Sequence, residues 1–459
     1  MHVKEDEVLA GLSEITFFGG TGGIGGNKIL VEAGDARFFL DHGQSFSFGN
    51  RFFTGWLSPR ESRTGLKDYL ALNLIPPVQG LYSARVLEGT CLEHGAPAFD
   101  AIFISHVHYD HLAHLRFVDA DIPVHMGITT KRMLDSWECT SSGVNFGPHD
   151  YHAFKTGNIV HVGDCDIEPV HVDHSTPAAY GLIVHAPEGA IVYTGDLRLH
   201  GPMAHMTRDF IDKAKEAEPV AMICEGTRVA PVETRKDTSE HQVLAGAINT
   251  VKRARELVIV SFYNRDVDRI KTYHQVAVAT GRQFVVSMKV AHLIKSLVDD
   301  PGIIVPDPFS DPHMLVYKRT LKRFFKWQKE IMSSDEAIVD ANYIHEHQEE
   351  LILHLDFTHF NEIIDIQPNP GSIYINSMSE PFSEDDIEDL VKDNWLQHFQ
   401  VERVQLHASG HCSMDEIFSM VNEINPNVVF PVHTEHPMLF MGNVTPEVKV
   451  PTAGEKFTV

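Results

Sequence analysis

The sequence predicts an α/β protein in which one domain is split by an inserted second one. The first two hundred residues consist mainly of strand-like segments broken by glycine-rich turns, and Ala33-Gly34-Asp35 is typical of a hairpin turn. From about residue 232, helical and strand-like segments alternate, which is the pattern of a parallel sheet with crossovers. Strand-like segments ending in histidines return after residue 400. We therefore expect a first domain part at 1–230, an inserted domain at 231–400 and a completion of the first domain at 401–459.

Length and composition fit this organisation. A chain of 459 residues is too long for one ordinary core, so two domains are expected. The net charge of −25 excludes a broadly basic nucleic-acid coat but leaves room for a local basic channel. The charged N-terminus, the five scattered cysteines and the lack of a long apolar run predict a cytoplasmic protein without a membrane partner.

The insertion contains the one dense basic stretch of the sequence, residues 317–327, within a segment (312–363) that we expect to be mostly helical. Aromatic residues among cations suit single-stranded RNA, which stacks its bases and needs phosphate neutralisation. An amphipathic helix with a solvated basic side is an equally good interpretation, so both stay open.

The segment Gly20-Thr21-Gly22-Gly23-Ile24-Gly25 has the spacing of a dinucleotide-binding loop and follows a strand. That function requires a helix next, whereas the following residues have the pattern of a β-hairpin. We therefore predict a glycine turn that lets Asn27 and the backbone pack close to the active face.

A metal site is predicted by four residues that directly follow a buried strand. Three histidines and one aspartate occur within six positions: His106, His108, Asp110 and His111. Imidazole and carboxylate are the ligands that zinc prefers. The spacing lets the first two reach one ion and the last two a second. Similar strand ends supply the further candidates His174, Asp196 and His433, and a carboxylate between two cations can bridge them.

In chain order, these motifs resemble those of the metallo-β-lactamase superfamily, whose first-motif aspartate is matched by Asp41. CEGTR with Glu225, SGH ending at His411 and PVH ending at His433 resemble motifs A, B and C of the β-CASP nucleases. VIVSFYNRDVDRI and QLHASGH are similar to segments of ribonuclease J and related archaeal and bacterial RNA-processing nucleases. The resemblance covers roughly residues 14–440.

The resemblance implies a metallo-β-lactamase αββα sandwich with an inserted αβ β-CASP domain. It also implies a zinc-dependent ribonuclease, acting as a 5′→3′ exonuclease, an endonuclease or both on single-stranded RNA. Two zinc ions about 3.5–4 Å apart would hold the attacking hydroxide between them, with manganese as an alternative metal. The first ion would be bound by His106, His108, His174 and Asp196, and the second by Asp110, His111, Asp196 and His433.

The remaining roles also follow from the resemblance. Asp41 would orient the site, Asp110 would take part in catalysis, and Glu225 with His411 would relay the proton to the leaving oxygen. The residues implied in substrate binding are His407, Ser409, Ser377 and Ser379.

The sequence departs from ribonuclease J at three places. Gly23 stands where that family has an acidic residue, and the TGxQGEP loop is represented only by Ser377-Met378-Ser379-Glu380-Pro381. Since the chain ends at Val459, we expect the additional C-terminal domain to be absent, and a homodimer stays open.

Three other functions compete with RNA hydrolysis. A DNA-directed β-CASP nuclease is disfavoured by His433, because that branch lacks a histidine at motif C. A small-molecule metallohydrolase would have no need of the inserted domain. An inactive RNA-binding relative is disfavoured by the complete ligand set.

Overall fold

The computed structural model describes residues 12–233, 238–333, 335–379 and 387–459. Among these residues, the strands form three sheets of seven strands each, here numbered in chain order. The first sheet has the spatial order β21 (Glu455–Thr458), β1 (Glu14–Gly19), β2 (Lys28–Ala33), β3 (Ala36–His42), β4 (Ala101–Ile104), β5 (Val124–Gly127) and β6 (Tyr151–Phe154). The second sheet has the order β20 (Glu447–Val448), β19 (Val428–Val432), β11 (Ala221–Glu225), β10 (Gly189–Tyr193), β9 (Ala179–Ala186), β8 (Cys165–Val172) and β7 (Val160–Val162).

The third sheet has the order β15 (Ile338–Val339), β14 (Met314–Tyr317), β13 (Gln283–Ser287), β16 (Leu351–His354), β12 (Val258–Ser261), β17 (Ile373–Asn376) and β18 (Glu402–Gln405). The helices are α1 (Glu61–Thr64), α2 (Lys67–Ala71), α3 (Ala84–Leu87), α4 (Tyr109–Leu112), α5 (Ile128–Thr140), α6 (Ala204–Glu216), α7 (Glu240–Arg253), α8 (Val267–Thr280), α9 (Met288–Leu297), α10 (Lys326–Ile331), α11 (Ala341–Glu346), α12 (Glu362–Ile366), α13 (Ile387–His398) and α14 (Met414–Ile424).

The first two sheets pack face to face, because alternate residues of each strand point into a shared core. Phe38 and Phe103 of the first sheet belong to the same buried cluster as Phe430 of the second. The outer face of the second sheet is covered by α6 and α14, and the outer face of the first by residues that include Leu134 of α5. The predicted αββα sandwich is confirmed.

The third sheet is inserted between two neighbouring strands of the second. The chain leaves the second sheet after β11 and returns as β19, which pairs with β11 in parallel. Every strand pair of the third sheet is parallel, as the alternation of strands and helices predicted. Because β18 belongs to this sheet, we propose that the inserted unit extends to Gln405 and not to residue 400.

The expectation of a mostly helical segment at 312–363 is wrong. This segment contributes β14, β15 and β16 to the third sheet. Four-residue apolar runs such as MLVY and LILH are too short for their periodicity to separate a strand from a helix. The basic stretch is not an amphipathic helix either, because residues 318–325 form a loop between β14 and α10.

Other local predictions are confirmed. Gly34 and Asp35 connect the antiparallel strands β2 and β3, and the glycine-rich segment at 20–25 leads into β2 and not into a helix. In the described part of the chain, no helix is long and apolar enough to span a membrane.

Candidate metal centre

The predicted ligands come together because each follows the carboxyl end of a strand. His106 follows β4, His174 follows β8, Asp196 follows β10 and His433 follows β19 directly. The carboxyl ends of strands are where αβ folds place reactive groups, since the strand is rigid and the next residues are free to turn inward. Asp110 reaches the same place from the short helix α4.

One group of ligand atoms surrounds His108. Its Nδ1 lies 3.0 Å from Nε2 of His106 and 3.1 Å from Nε2 of His174. Oδ2 of Asp196 completes the group at 3.7 Å from Nε2 of His106. The four ligand atoms lie within 4.8 Å of one another.

A second group shares Asp196 with the first. Its Oδ2 lies 3.1 Å from Nε2 of His111 and 3.7 Å from Nε2 of His433. Asp110 completes the group, with Oδ2 at 2.9 Å from Nε2 of His433. The shared carboxylate is the feature that a bridged pair of cations requires.

The donor set fits divalent cations. Nε2 of His111 and Oδ1 of Asp196 are buried and form no hydrogen bond, which is costly unless a ligand satisfies them. Burial holds the pKa of His106 and His174 well below the usual histidine value, so both are neutral imidazoles, the form that binds metals. Burial also opposes the charge of His111, but its carboxylate neighbours outweigh burial and raise its pKa. A cation would neutralise this excess of carboxylate.

Asp41 supports the centre without joining either ligand group. Its Oδ2 lies 2.6 Å from Nδ1 of His111, which leaves Nε2 of that ring for a metal. Ser105 donates to Asp41 from its backbone N–H and its hydroxyl, and Tyr193 donates at 2.5 Å. The residue is fully buried with φ of 57°, a strained conformation that occurs where surrounding structure enforces it. This geometry agrees with the predicted orienting role.

Two more ligands are oriented by groups that the sequence analysis did not select. Nδ1 of His174 lies 2.5 Å from the carbonyl oxygen of Gly410, and Nδ1 of His433 lies 2.8 Å from Oγ1 of Thr227. The Thr227 hydroxyl in turn donates to Glu225 at 2.6 Å. Each bond leaves Nε2 of the imidazole as the ligand atom.

Glu225 and His411 form a hydrogen-bonded pair beside the ligand groups. Nδ1 of His411 lies 3.0 Å from Oε2 of Glu225 and 4.0 Å from Oδ2 of Asp196. The Glu225 carboxylate also accepts from the backbone N–H groups of Leu197 and Thr227. These two residues and Asp196 are close enough to form a third ligand group, but the carboxylate of Glu225 is already satisfied. It is therefore better suited to orienting His411 than to binding a further ion.

The glycine turn packs against Asp110, as predicted. The N–H of Gly26 donates to the carbonyl of Asp110, and the N–H of His433 donates to the carbonyl of Gly20. A Cβ on Gly25 would lie 2.7 Å from Cβ and Oδ2 of Asp110, so only glycine fits here. Asn27 donates to the Tyr193 hydroxyl at 2.8 Å.

The four predicted substrate-binding residues belong to neither ligand group. The side chain of Ser377 is buried and donates to the carbonyl of Leu406, and its role in substrate binding stays a prediction. The hydroxyl of Ser409 accepts from the N–H of His411, which fixes the loop that carries this histidine.

Nδ1 of His407, which is partly buried, lies 3.3 Å from the carbonyl oxygen of Ser377, and burial lowers the pKa of this histidine to about 3. Ser379 is partly exposed. Glu380 and Pro381 lie outside the described residues.

Comparison with known families agrees with this architecture. A family model described as a beta-lactamase superfamily domain matches residues 74–257. A second, described as a Zn-dependent metallo-hydrolase RNA specificity domain, matches residues 398–439, which contain His411 and His433. The chain is therefore similar to metallo-hydrolases of the beta-lactamase superfamily over these two segments.

Curated relatives include ribonuclease J of Sinorhizobium meliloti, 23% identical over 73% of this chain and 57% of its own length. Ribonuclease J of Helicobacter pylori is 22% identical over 92% of this chain and 56% of its own. Ribonuclease J 2 of Staphylococcus aureus is 23% identical over 92% of this chain and 68% of its own. The chain thus spans little more than half the length of the first two relatives.

A crystal structure of a protein of unknown function from Enterococcus faecalis V583 has the same fold. It superposes with a TM-score of 0.77 at 23% identity and covers 98% of this chain and all of its own.

Proposed function

We propose that this protein is a zinc-dependent ribonuclease that hydrolyses phosphodiester bonds of single-stranded RNA. The observation that carries the proposal is the pair of ligand groups sharing Asp196, because two adjacent cations suit phosphodiester hydrolysis. The names of the relatives and of the matched RNA specificity domain favour RNA as the substrate.

Each ligand group would hold one zinc ion, or manganese as the alternative. The first consists of His106, His108, His174 and Asp196, and the second of Asp110, His111, Asp196 and His433. When bound, two such ions lower the pKa of water and stabilise the charge that develops on the phosphate. The chain holds the ligands in place through Asp41, Thr227 and the carbonyl of Gly410.

His411 is the proposed proton donor to the leaving oxygen. Its side chain is 19% exposed, whereas Glu225 is buried, so the histidine is the member of the pair that substrate can reach. Nδ1 faces the carboxylate of Glu225, which leaves Nε2 for a substrate oxygen. Glu225 is thus a positioning residue for His411.

We further propose a cytoplasmic location, because Cys91, Cys139, Cys165, Cys224 and Cys412 are all free thiols. A homodimer stays a prediction, and sedimentation of the purified chain in an analytical ultracentrifuge would test it.

The function is tested by incubating the zinc-loaded protein with end-labelled single-stranded RNA and DNA of one sequence. Each RNA carries a 5′-monophosphate, 5′-triphosphate or 5′-hydroxyl, and Asp196→Ala serves as the inactive control. Mononucleotides released from the 5′ end indicate exonuclease action, and internal fragments indicate endonuclease action. Intact RNA together with cleaved DNA would establish the DNA-directed alternative.

A further inference from the structure

Arg265 is a cation that reaches from the inserted unit to the domain that carries the metal centre. The strands of the third sheet are all parallel, so the residues after β12, β13 and β17 lie along one edge, where α/β sheets bind their ligands. Arg265 and Tyr263 follow β12, Lys289 follows β13 and Ser379 follows β17.

Arg265 is held by an aromatic ring and not by a carboxylate. Its guanidinium carbon lies 3.5 Å from the ring centroid of Trp137 on α5, so the side chain crosses from the inserted unit to the sandwich. Its Nε is buried without a hydrogen-bond partner. Within the described ranges, no carboxylate forms an ion pair with it, and burial alone lowers its pKa, to about 10. The group therefore stays charged at neutral pH while its charge is uncompensated.

This charge lies close to the metal centre. The ring of Trp137, on which Arg265 stacks, lies 6.0 Å from that of Tyr109, the residue between the ligands His108 and Asp110. Lys289 is a second cation in this region. Burial is the main cause that lowers its pKa, and the positive charge of Arg265 makes a smaller contribution. Cations placed beside a site for divalent ions repel them unless an anion lies between. The arrangement therefore calls for an anionic ligand.

Tyr263 supplies a flat apolar surface next to the same edge. The residue is 54% exposed, and partial burial of its hydroxyl raises the pKa of that group. An exposed aromatic ring is suited to stacking on an unpaired base.

We propose that Arg265 and Tyr263 form a nucleotide subsite, in which Arg265 binds an RNA phosphate next to the one at the metal centre and Tyr263 stacks on the base. The inference deepens the proposed ribonuclease function and rests on it for the identity of the ligand. Trp137 is a positioning residue, since it fixes the plane of the guanidinium.

The test measures binding of a fluorescein-labelled ten-nucleotide oligouridylate by anisotropy between about 50 and 200 mM salt. Arg265→Gln should raise Kd by about tenfold and reduce the salt slope by about one, because one phosphate contact is lost. Arg265→Lys should recover part of the affinity, since an ammonium keeps the charge without the planar fork. Tyr263→Leu should weaken binding about tenfold, whereas Tyr263→Phe, which keeps the ring, should recover most of the loss.

Lys215→Gln is the matched control, because Lys215 is an exposed cation on α6, which packs on the second sheet. Zinc content and Tm are measured for every variant, so that a folding defect is recognised. Equal Kd and equal salt slope for Arg265→Gln, Lys215→Gln and the wild type would overturn the subsite, as would absence of RNA binding by the wild type. If the wild type binds RNA without cleaving it and the Arg265 variants still differ, the subsite stands and the proposed catalytic function fails.

Discussion

Replacing Gly25 by alanine should remove one of two metal ions while leaving the fold intact. The new Cβ would lie 2.7 Å from Cβ of Asp110, about 0.7 Å short of the 3.4 Å at which ordinary van der Waals contact begins. Asp110 cannot yield easily, because the N–H of Gly26 holds its carbonyl and Nε2 of His433 lies 2.9 Å from its carboxylate. Metal–ligand distances tolerate shifts of only about 0.2 Å. The displacement is therefore large enough to dismantle the second ligand group.

Gly22→Ala is the matched control. Gly22 has φ of +64° and Gly25 has φ of +78°, so alanine at either position has a similar backbone strain of roughly 1–2 kcal/mol. A Cβ on Gly22 meets nothing within 4 Å, so only the strain remains there.

The assay is zinc per chain by inductively coupled plasma mass spectrometry after dialysis against metal-free buffer. We expect about two zinc ions in the wild type and in Gly22→Ala, and about one in Gly25→Ala, with RNA hydrolysis reduced at least a hundredfold. Two tightly held zinc ions in Gly25→Ala, with unchanged hydrolysis, would refute the reasoning.

Three further predictions test the support around the centre and the inserted unit. His411→Ala should lower kcat for RNA about 10²–10⁴-fold without loss of zinc, and a zinc-free variant would instead make this histidine a ligand. Asp41→Asn should weaken zinc binding about 10–100-fold, because His111 loses its anionic partner. A competition titration with a chelator measures this affinity, and an unchanged value would contradict the orienting role. Burial, together with carboxylate neighbours, raises the pKa of Asp266 to about 7. Between about pH 4 and pH 7, the folded chain therefore keeps a proton that the unfolded chain has released. This proton stabilises the fold at low pH, and its contribution to stability is lost as pH rises through 7. Asp266→Asn, which can still cap α8, should therefore gain Tm relative to the wild type on going from about pH 5.5 to pH 8, and a pH-independent difference would contradict the assignment.

Much of the centre could be predicted because its ligands follow buried strands. His106, His108, Asp110 and His111 lie within six positions, so one pattern reveals four of them. The distant ligands were found because an apolar run ending in a carboxylate or histidine marks the active edge of a sheet. The structure brings all of them together.

The groups that orient the ligands could not be predicted from such patterns. Tyr193 reaches Asp41 across 152 positions and Thr227 reaches His433 across 206, and neither side chain type is specific to metal sites. The Ser377 hydroxyl donates to the carbonyl of Leu406, a partner that sequence could not indicate, since a serine at a strand end looks the same whatever its hydroxyl faces. Arg265 lies in a short loop, and its significance depends on Trp137, which is distant in sequence.

The secondary structure of the inserted unit was predicted less well than its topology. Alternation of helices and strands correctly indicated a parallel sheet, but the four-residue strands β14 and β16 lie in a charged context that suggested helix. Their residues are buried by packing in the sheet, which depends on contacts that local sequence does not encode.

The central claim is that two metal ions share Asp196. The most direct measurement is anomalous X-ray scattering at the zinc absorption edge from crystals of the zinc-loaded protein. Two peaks about 3.5–4 Å apart are expected, one beside His106, His108 and His174 and the other beside Asp110, His111 and His433. A single peak, or zinc bound elsewhere, would contradict the dinuclear centre.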